Sequence, residues 1–184
     1  SDNVALTRDM LKKLFTANDN KLQTGFTGMP IMCPTLSDNG MNDLAYTLLL
    51  NEEYPGWLHE ILLGATTVWE RWNSLDEEGH ISSTGMNSLN HYSYGAICGW
   101  LFGGVCGIHL ENKHVTIHPY PDASLGYAHA EYVSPVGKIV SAWKYEGDNI
   151  HYTFEIPANV TAEVYLEDGQ KVTLEAGKHE IVSK

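Results

Sequence analysis

The chain has 184 residues, which is enough for one large domain or two small ones with a buried core. Its composition, 43% hydrophobic and 18% charged, is ordinary for a globular protein. The net charge of −12 argues against nucleic acid or an anionic membrane as a partner, because both require clustered lysine and arginine, and it favours a neutral small molecule as ligand.

The first half of the chain has apolar residues at helical spacing. It begins with a helix for which Thr7 is a candidate N-cap, and a loop at Thr24–Gly28 follows. An extended segment, Ala65–Trp72, and a polar loop, Asn73–Gly85, come before the last helix. The remaining predicted helices are Met29–Leu36, Leu44–Leu49, Trp57–Leu62 and, the longest, Met86–Gly107.

After Gly107 the pattern changes to strand-like alternation, and Asp168-Gly169 between two alternating runs predicts a hairpin. Six or seven short strands in about 75 residues are typical of an antiparallel β-sandwich. The sequence therefore predicts two domains, 1–107 and 108–184. The predicted strands are His114–His118, Gly126–Val133, Lys138–Glu146, Ile150–Ile156, Thr161–Leu166 and Lys171–Leu174.

The three cysteines, Cys33, Cys98 and Cys106, cannot make a complete set of disulfides. Cys98 and Cys106 lie on one predicted helix with a rise of roughly 12 Å between them, so they cannot bond to each other. We expect all three to be small buried hydrophobic residues rather than nucleophiles.

One acidic side chain, Glu70, lies between two tryptophans, Trp69 and Trp72, and His91 follows at the head of the last predicted helix. Aromatic faces pack on the C–H surfaces of sugar rings, and a carboxylate can take a proton from water. In an inverting glycosidase one carboxylate deprotonates a water while a distant acid protonates the leaving oxygen. The pattern indicates Glu70 as that base and His91 as a group that binds a sugar hydroxyl or orients the water.

Each of these residues also has a structural interpretation. Glu70 would cap a strand with the two tryptophans in the core, and His91 would be satisfied by Asn87 or Asn90. In the second half Tyr120, Tyr127, Tyr132 and Trp143 would form either a sugar-binding face or the core of the sandwich.

No metal or other cofactor is expected. The acidic run Asp76-Glu77-Glu78 is typical of a solvated loop. His114 and His118 lie about 13 Å apart on an ideal strand, which is too far to chelate one metal ion. The sequence contains no zinc signature, phosphate-binding glycine loop or nucleophile elbow.

The five predicted helices make a poor independent core and look like the tail of a larger helical array, which predicts exposed apolar faces at Leu6 and Leu14. With its motifs the chain resembles the C-terminal portion of a bacterial α-L-rhamnosidase of glycoside hydrolase family 78, over nearly its whole length. The segments that carry the resemblance are Thr24–Gly28, Ala45–Tyr46, Leu48–Leu50, Tyr54–Trp57, Gly64–Glu70 and Ser88–Gly95.

The resemblance implies part of an (α/α)₆ barrel followed by a β-sandwich, and inverting hydrolysis of terminal α-L-rhamnose from a glycoside or oligosaccharide. It implies that Glu70 is the general base, that His91 contacts the sugar, and that Trp69 and Trp72 are pocket walls. The family's general acid lies in an earlier part of the barrel, so we expect the 184-residue chain alone to be inactive and the missing part of the barrel to be its partner. Two alternatives stay open: a non-catalytic carbohydrate-binding or scaffold module, and another sugar for the same architecture.

Overall fold

The computed structural model describes residues 2–76, 78–82 and 85–184. Residues up to Ile97 form one compact unit and residues from Cys98 form another. The first unit contains α-helices joined by long loops, and the second consists mainly of β-strands. The predicted order of elements, helices first and strands second, is confirmed.

Four α-helices lie in the described part of the first unit. Pro30 lies in the first turn of the second helix, where its missing N–H is not needed. The second and third helices pack together, and the fully buried side chains of Leu36, Tyr46 and Leu48 lie in this part of the core. The helices are α1 Asp2–Ala17, α2 Met29–Asp38, α3 Asn42–Leu49 and α4 Trp57–Leu62.

The predicted N-cap of the first helix is wrong. Helix α1 begins at Asp2, so Thr7 lies inside it. The Thr7 hydroxyl donates a hydrogen bond to the Asn3 carbonyl oxygen at 2.8 Å, which is the bond that serine and threonine make within a helix.

The predicted helix Met86–Gly107 becomes helical only at Tyr94. Its first residues use their polar groups outside a helix: the Ser88 hydroxyl donates to the Asn90 carbonyl oxygen and accepts from the Asn90 N–H. Such local bonds compete with helix formation. The helical stretch consists of a 3₁₀ turn Tyr94–Ala96, α5 Ile97–Trp100 and a π-helical turn Leu101–Val105.

Eight strands form two four-stranded sheets in the second unit, with orders β1-β2-β6-β7 and β3-β4-β5-β8. Neighbouring strands are antiparallel except β2 and β6, which are parallel, so the first sheet is mixed. The predicted hairpin at Asp168-Gly169 joins β6 to β7. The strands are β1 Ile108–Glu111, β2 His114–Ile117, β3 Tyr127–Ser134, β4 Gly137–Glu146, β5 Asn149–Ile156, β6 Ala162–Tyr165, β7 Lys171–Leu174 and β8 Gly177–Ser183.

Strand β4 is fastened to the end of the π-helical turn by two buried side chains. The Trp143 indole N–H donates to the Val105 carbonyl oxygen at 2.7 Å, and the Ser141 hydroxyl donates to the Cys106 carbonyl oxygen at 2.6 Å. These bonds satisfy carbonyl groups that a helix end leaves without intrahelical partners. Trp143 is only 1% exposed, so it is a core residue.

The expectation of three buried cysteines is wrong for Cys98, which is exposed, whereas Cys33 and Cys106 are buried. Cys98 shares an exposed face with Gly99 and Phe102, so the helical stretch is not buried on all sides. Burial raises the pKa of the Cys33 thiol to about 12 and that of Cys106 to about 11, which makes both thiols unreactive. Among the described residues, no helix has the length and hydropathy of a membrane span.

Helix α4 buries a carboxyl group. Glu60 is 3% exposed, and its Oε2 accepts a hydrogen bond from the Trp69 N–H at 3.5 Å. Its Oε1 has no hydrogen-bond partner in the part of the chain that the structure describes. Burial raises the pKa of Glu60 to about 7, against the opposing effect of the Trp69 N–H.

This burial predicts a pH-dependent stability. The pKa of Glu60 is higher in the folded chain than its ordinary value of 4.5. The contribution of Glu60 to the free energy of unfolding is therefore complete below pH 4.5 and is lost as the pH rises through about 7. Between pH 5 and pH 8 the parent should lose on the order of 2–3 kcal/mol of its free energy of unfolding through ionisation of Glu60. The Glu60→Gln variant should not show this loss, because glutamine does not ionise. Urea unfolding at both pH values measures this, with exposed Glu52→Gln as the control. An identical pH dependence of parent and Glu60→Gln would contradict it.

Candidate functional site

The segment that carries Glu70 leaves helix α4 through a glycine. Gly64 has a φ of +89°, a conformation that favours glycine, and its N–H donates to the Ile61 carbonyl oxygen. The next N–H, of Ala65, donates to the Glu60 carbonyl oxygen at 3.0 Å. The chain then continues through Trp72 without regular secondary structure.

Backbone hydrogen bonds hold this segment beside the one that carries His91. The Glu70 N–H donates to the Ser88 carbonyl oxygen at 2.8 Å, and the His91 N–H donates to the Val68 carbonyl oxygen at 2.8 Å. The Thr67 hydroxyl adds a bond to the Leu89 carbonyl oxygen. The structure therefore brings the backbones at positions 70 and 91 together.

The Glu70 side chain is half-buried. No residue within the described ranges donates a hydrogen bond to its carboxylate or forms an ion pair with it. A fixed backbone with an unengaged carboxylate suits a group that binds water or a sugar hydroxyl.

The His91 imidazole is held at one nitrogen and on its faces. Its Nδ1 accepts the Ser93 N–H at 3.3 Å and lies 2.8 Å from the Ser93 hydroxyl oxygen. The imidazole stacks with Phe26, at 5.4 Å between ring centroids, and with Tyr92, at 5.1 Å. Because Nδ1 accepts a backbone N–H, a neutral His91 carries its proton on Nε2 and offers a donor there.

Phe26 is a neighbour of the His91 imidazole that the sequence pattern did not indicate. It is 44% exposed and contacts Tyr94 edge-on, in addition to its stacking on His91. A Gly-rich loop, Thr24–Gly28, is an unusual place for a large apolar side chain, and this was the one signal in the sequence.

The two tryptophans beside Glu70 lie in the core. Trp69 is 3% exposed and Trp72 is 8% exposed. Trp72 stacks on Tyr94 with ring centroids 3.8 Å apart and meets Trp57 edge-on at 5.3 Å. The expected pair of open indole faces around Glu70 is therefore not what the structure shows, since hydrophobic burial of both rings prevails.

Trp72 and Tyr94 also line a cavity of about 580 Å³ in the helical unit. The loop that carries Phe26 and the cis peptide Tyr54–Pro55 contribute to its wall. Its other lining residues are Asn18, Lys21, Leu22, Gln23, Thr24 and Gly25.

Among the residues that the structure describes, the acidic loop after Glu70 is the cluster that could offer ligands to a cation. Ligand atoms of Asp76, Glu78 and His80 lie within 4.8 Å of one another, and all three residues are exposed. The His80 N–H donates to Asp76 at 2.7 Å, so the loop partly satisfies its own carboxylate. Glu77, the middle residue of the predicted acidic run, lies outside the described residues.

The strand unit contains the remaining candidate residues of the sequence analysis, which are two histidines and four aromatic residues. His114 forms an ion pair with Glu163 at 3.7 Å when it is protonated. Tyr127 and Tyr132 are exposed on β3, in contrast to Trp143 in the core. Tyr127 and Tyr132 lie five positions apart on an unbroken strand, so their side chains are on opposite faces of the sheet and do not form the predicted aromatic sugar-binding face.

Comparison with known proteins matches the two halves of the chain to consecutive domains of one family. The bacterial alpha-L-rhamnosidase 6 hairpin glycosidase domain matches residues 2–105. The bacterial alpha-L-rhamnosidase C-terminal domain matches residues 112–180. The predicted fold class, helices of a partial barrel followed by a β-sandwich, is confirmed.

Individual relatives agree. An alpha-L-rhamnosidase of Formosa agariphila is 40% identical over 162 residues, which are 86% of this chain and 17% of that protein. One of Alteromonas sp. is 39% identical and covers 88% of this chain and 18% of its own length. The crystal structure of Streptomyces avermitilis alpha-L-rhamnosidase complexed with L-rhamnose is 33% identical, with a TM-score of 0.88 over 96% of this chain and 19% of that one.

The chain thus spans less than a fifth of the length of these relatives. The match of the six-hairpin domain covers more than half of the chain, and the C-terminal domain follows it in the same order. The chain belongs to the bacterial α-L-rhamnosidase family.

Proposed function

We propose that this chain carries the general-base half of the active site of an inverting glycoside hydrolase that removes terminal α-L-rhamnose from glycosides. The observation that carries the proposal is the pairing of the Glu70 and His91 segments, with the Glu70 carboxylate unengaged by any described residue. Membership of the rhamnosidase family, and a relative crystallised with L-rhamnose, support this substrate.

In this mechanism the Glu70 carboxylate takes a proton from a water molecule as the water oxygen bonds to the anomeric carbon. The bond from that carbon to the leaving oxygen breaks on the opposite face of the sugar, and an acid there protonates the leaving oxygen. We assign no residue of this chain to the acid and propose that the remaining part of the barrel supplies it.

His91 and the aromatic residues position the sugar. The Nε2–H of a neutral His91 donates a hydrogen bond to a sugar hydroxyl, while Ser93 and Phe26 hold the ring. Trp69 and Trp72, both expected as pocket walls, are buried, and of the two only Trp72 lines the neighbouring cavity, so we propose that they support the site through packing rather than as open faces for the sugar.

We further propose that the chain divides functionally into barrel residues 1–107 and a C-terminal domain 108–184, and that α1 contacts further barrel helices. Exposed apolar side chains on α1 support this contact, including Leu6 at 60% and Leu14 at 66% exposure. Faces of this kind mark sites of association. A twelve-helix barrel cannot be closed by the helices of this chain alone.

A carbohydrate-binding role without catalysis is the second candidate, and the exposure of the Tyr132 ring on β3 favours it. The two candidates differ in where a sugar binds. Under the first, L-rhamnose perturbs residues around His91; under the second, it perturbs residues around Tyr132.

One prediction of the proposal concerns turnover. The isolated chain should not measurably hydrolyse an aryl α-L-rhamnoside, because one carboxylate cannot serve both sides of the bond. In a protein that joins this chain to the remaining barrel, Glu70→Gln should lower kcat by about 10²–10⁴-fold, as loss of a general base does.

Glu52→Gln is the matched control, since Glu52 is exposed and outside the site. Turnover by the isolated chain that is lost on Glu70→Gln would contradict the division of the site. Unchanged kcat in the Glu70→Gln variant of the complete protein would contradict the role of Glu70.

Another prediction concerns His91. In the same complete protein His91→Ala should weaken L-rhamnose binding roughly tenfold, which corresponds to one hydrogen bond of about 1.4 kcal/mol. Isothermal titration calorimetry measures the affinity, with the exposed His129→Ala as control. Equal affinities for the parent and His91→Ala would exclude a sugar contact.

The last prediction of the proposal concerns helix α1. Leu6→Lys with Leu14→Lys should leave the free energy of unfolding of this chain within about 0.5 kcal/mol, because both side chains are already exposed. The same pair should prevent association with a separately produced remainder of the barrel, measured by analytical ultracentrifugation. Val182→Lys, at an exposed strand position, is the control. Association that survives the α1 changes would show that this face is not the contact.

A further inference from the structure

Glu60 holds both ends of the segment that leads to Glu70. Its backbone carbonyl oxygen accepts the Ala65 N–H at 3.0 Å, and its side-chain Oε2 accepts the Trp69 N–H at 3.5 Å. The loop between these two bonds contains Thr67 and Val68, which bond to the segment of His91.

We propose that Glu60 is a positioning residue for Glu70: its buried carboxyl group binds the peptide N–H of Trp69, directly before Glu70, and its protonation state sets how tightly that peptide is held. The inference rests on the proposed function of Glu70. The sequence pattern did not single out Glu60, because a charged residue in a short apolar helix is a weak signal.

Within the described residues, the Glu60 carboxyl group has one hydrogen-bond partner, the Trp69 N–H. Glu60 is 3% exposed, and Oε1 has no partner within the described residues. Burying a carboxyl group without a full set of hydrogen bonds costs free energy of folding. Such a group is unusual where its role is purely structural. Its single hydrogen bond is directed at the backbone next to the proposed base.

Ionisation would strengthen that bond. A carboxylate accepts a shorter and stronger hydrogen bond than a neutral acid, and the present distance of 3.5 Å leaves room to shorten. Burial raises the pKa of Glu60 to about 7, so the change falls near neutral pH. We therefore expect the Trp69 peptide to be held more tightly above pH 7 than below it.

Other ionisable groups near Glu60 could also shift the Trp69 amide signal with pH, so each must be considered. Tyr94 interacts electrostatically with Glu60, but burial raises the pKa of Tyr94 above 10.0, so it stays neutral. Arg71 acts on Tyr94 as a permanent charge. His59, the preceding residue on α4, and His91 across the paired segments are the histidines that a test must separate from Glu60.

The test is a pH titration of the intact 184-residue chain labelled with [¹⁵N]tryptophan and [¹⁵N]glutamate, followed by NMR. In the parent, the Trp69 and Glu70 backbone amide proton signals should move downfield together, with a midpoint near 7. Glu60→Gln, which keeps the shape and an acceptor oxygen, should abolish the titration of both. Glu52→Gln, His59→Gln and His91→Gln should retain it.

Three results would overturn the inference: no titration of the Trp69 amide near neutral pH in the parent, titration that survives Glu60→Gln, or a Trp69 shift that Glu70 does not follow. The parent alone decides the first and third, so the inference can be refuted even if a variant fails to fold. The readout needs neither sugar nor turnover. If Glu70 proved not to be the base, the titration would persist while the kinetic prediction failed.

Discussion

The site depends on the backbone hydrogen bonds between the Val68–Glu70 and Ser88–His91 segments. Neither segment is a helix or a strand, so no regular ladder of bonds holds them in place. Two N–H groups and the Thr67 hydroxyl donate across the gap, and each satisfies a carbonyl group of the other segment. These bonds therefore hold the backbones of the proposed base and of His91 close together in space, although the two residues are 21 positions apart in sequence.

A cluster of buried aromatic rings lies next to this pairing along the chain, since Trp72 follows Glu70 by two residues and Tyr94 follows His91 by three. Trp72, Tyr94 and Trp57 stack and meet edge-on, and the Trp57 indole N–H donates to the Tyr94 carbonyl oxygen at 3.1 Å. Glu60 is buried in the same unit and binds the Trp69 peptide. Buried aromatic rings and a buried carboxyl group thus lie next to the loop, while the Glu70 side chain stays half-buried and unengaged within the described structure.

Much of the fold could be predicted from the sequence, because helices and strands differ in their apolar period. The alternation located six strands, but β1 and β8 were missed, since β8 is mostly exposed and has little contrast between its faces. The start of the last helix was placed too early, because the Ser88 hydroxyl binds the backbone of Asn90 instead of leaving it to continue a helix. Motif spacing indicated Glu70 and His91 as candidates, whereas the contacts of Phe26 with His91 and of Glu60 with Trp69 arise only in the folded chain.

The central claim is that the Glu70 carboxylate takes a proton from the water molecule that attacks the anomeric carbon. Chemical rescue of a variant without this carboxylate tests the claim most directly. In a protein that joins this chain to the remaining barrel, Glu70→Ala is assayed on an aryl α-L-rhamnoside with sodium azide, and ¹H NMR identifies the product. The account predicts that azide, which needs no deprotonation, restores turnover and yields the β-L-rhamnosyl azide by inversion. A product of α configuration, or full turnover of the variant in water without azide, would contradict it.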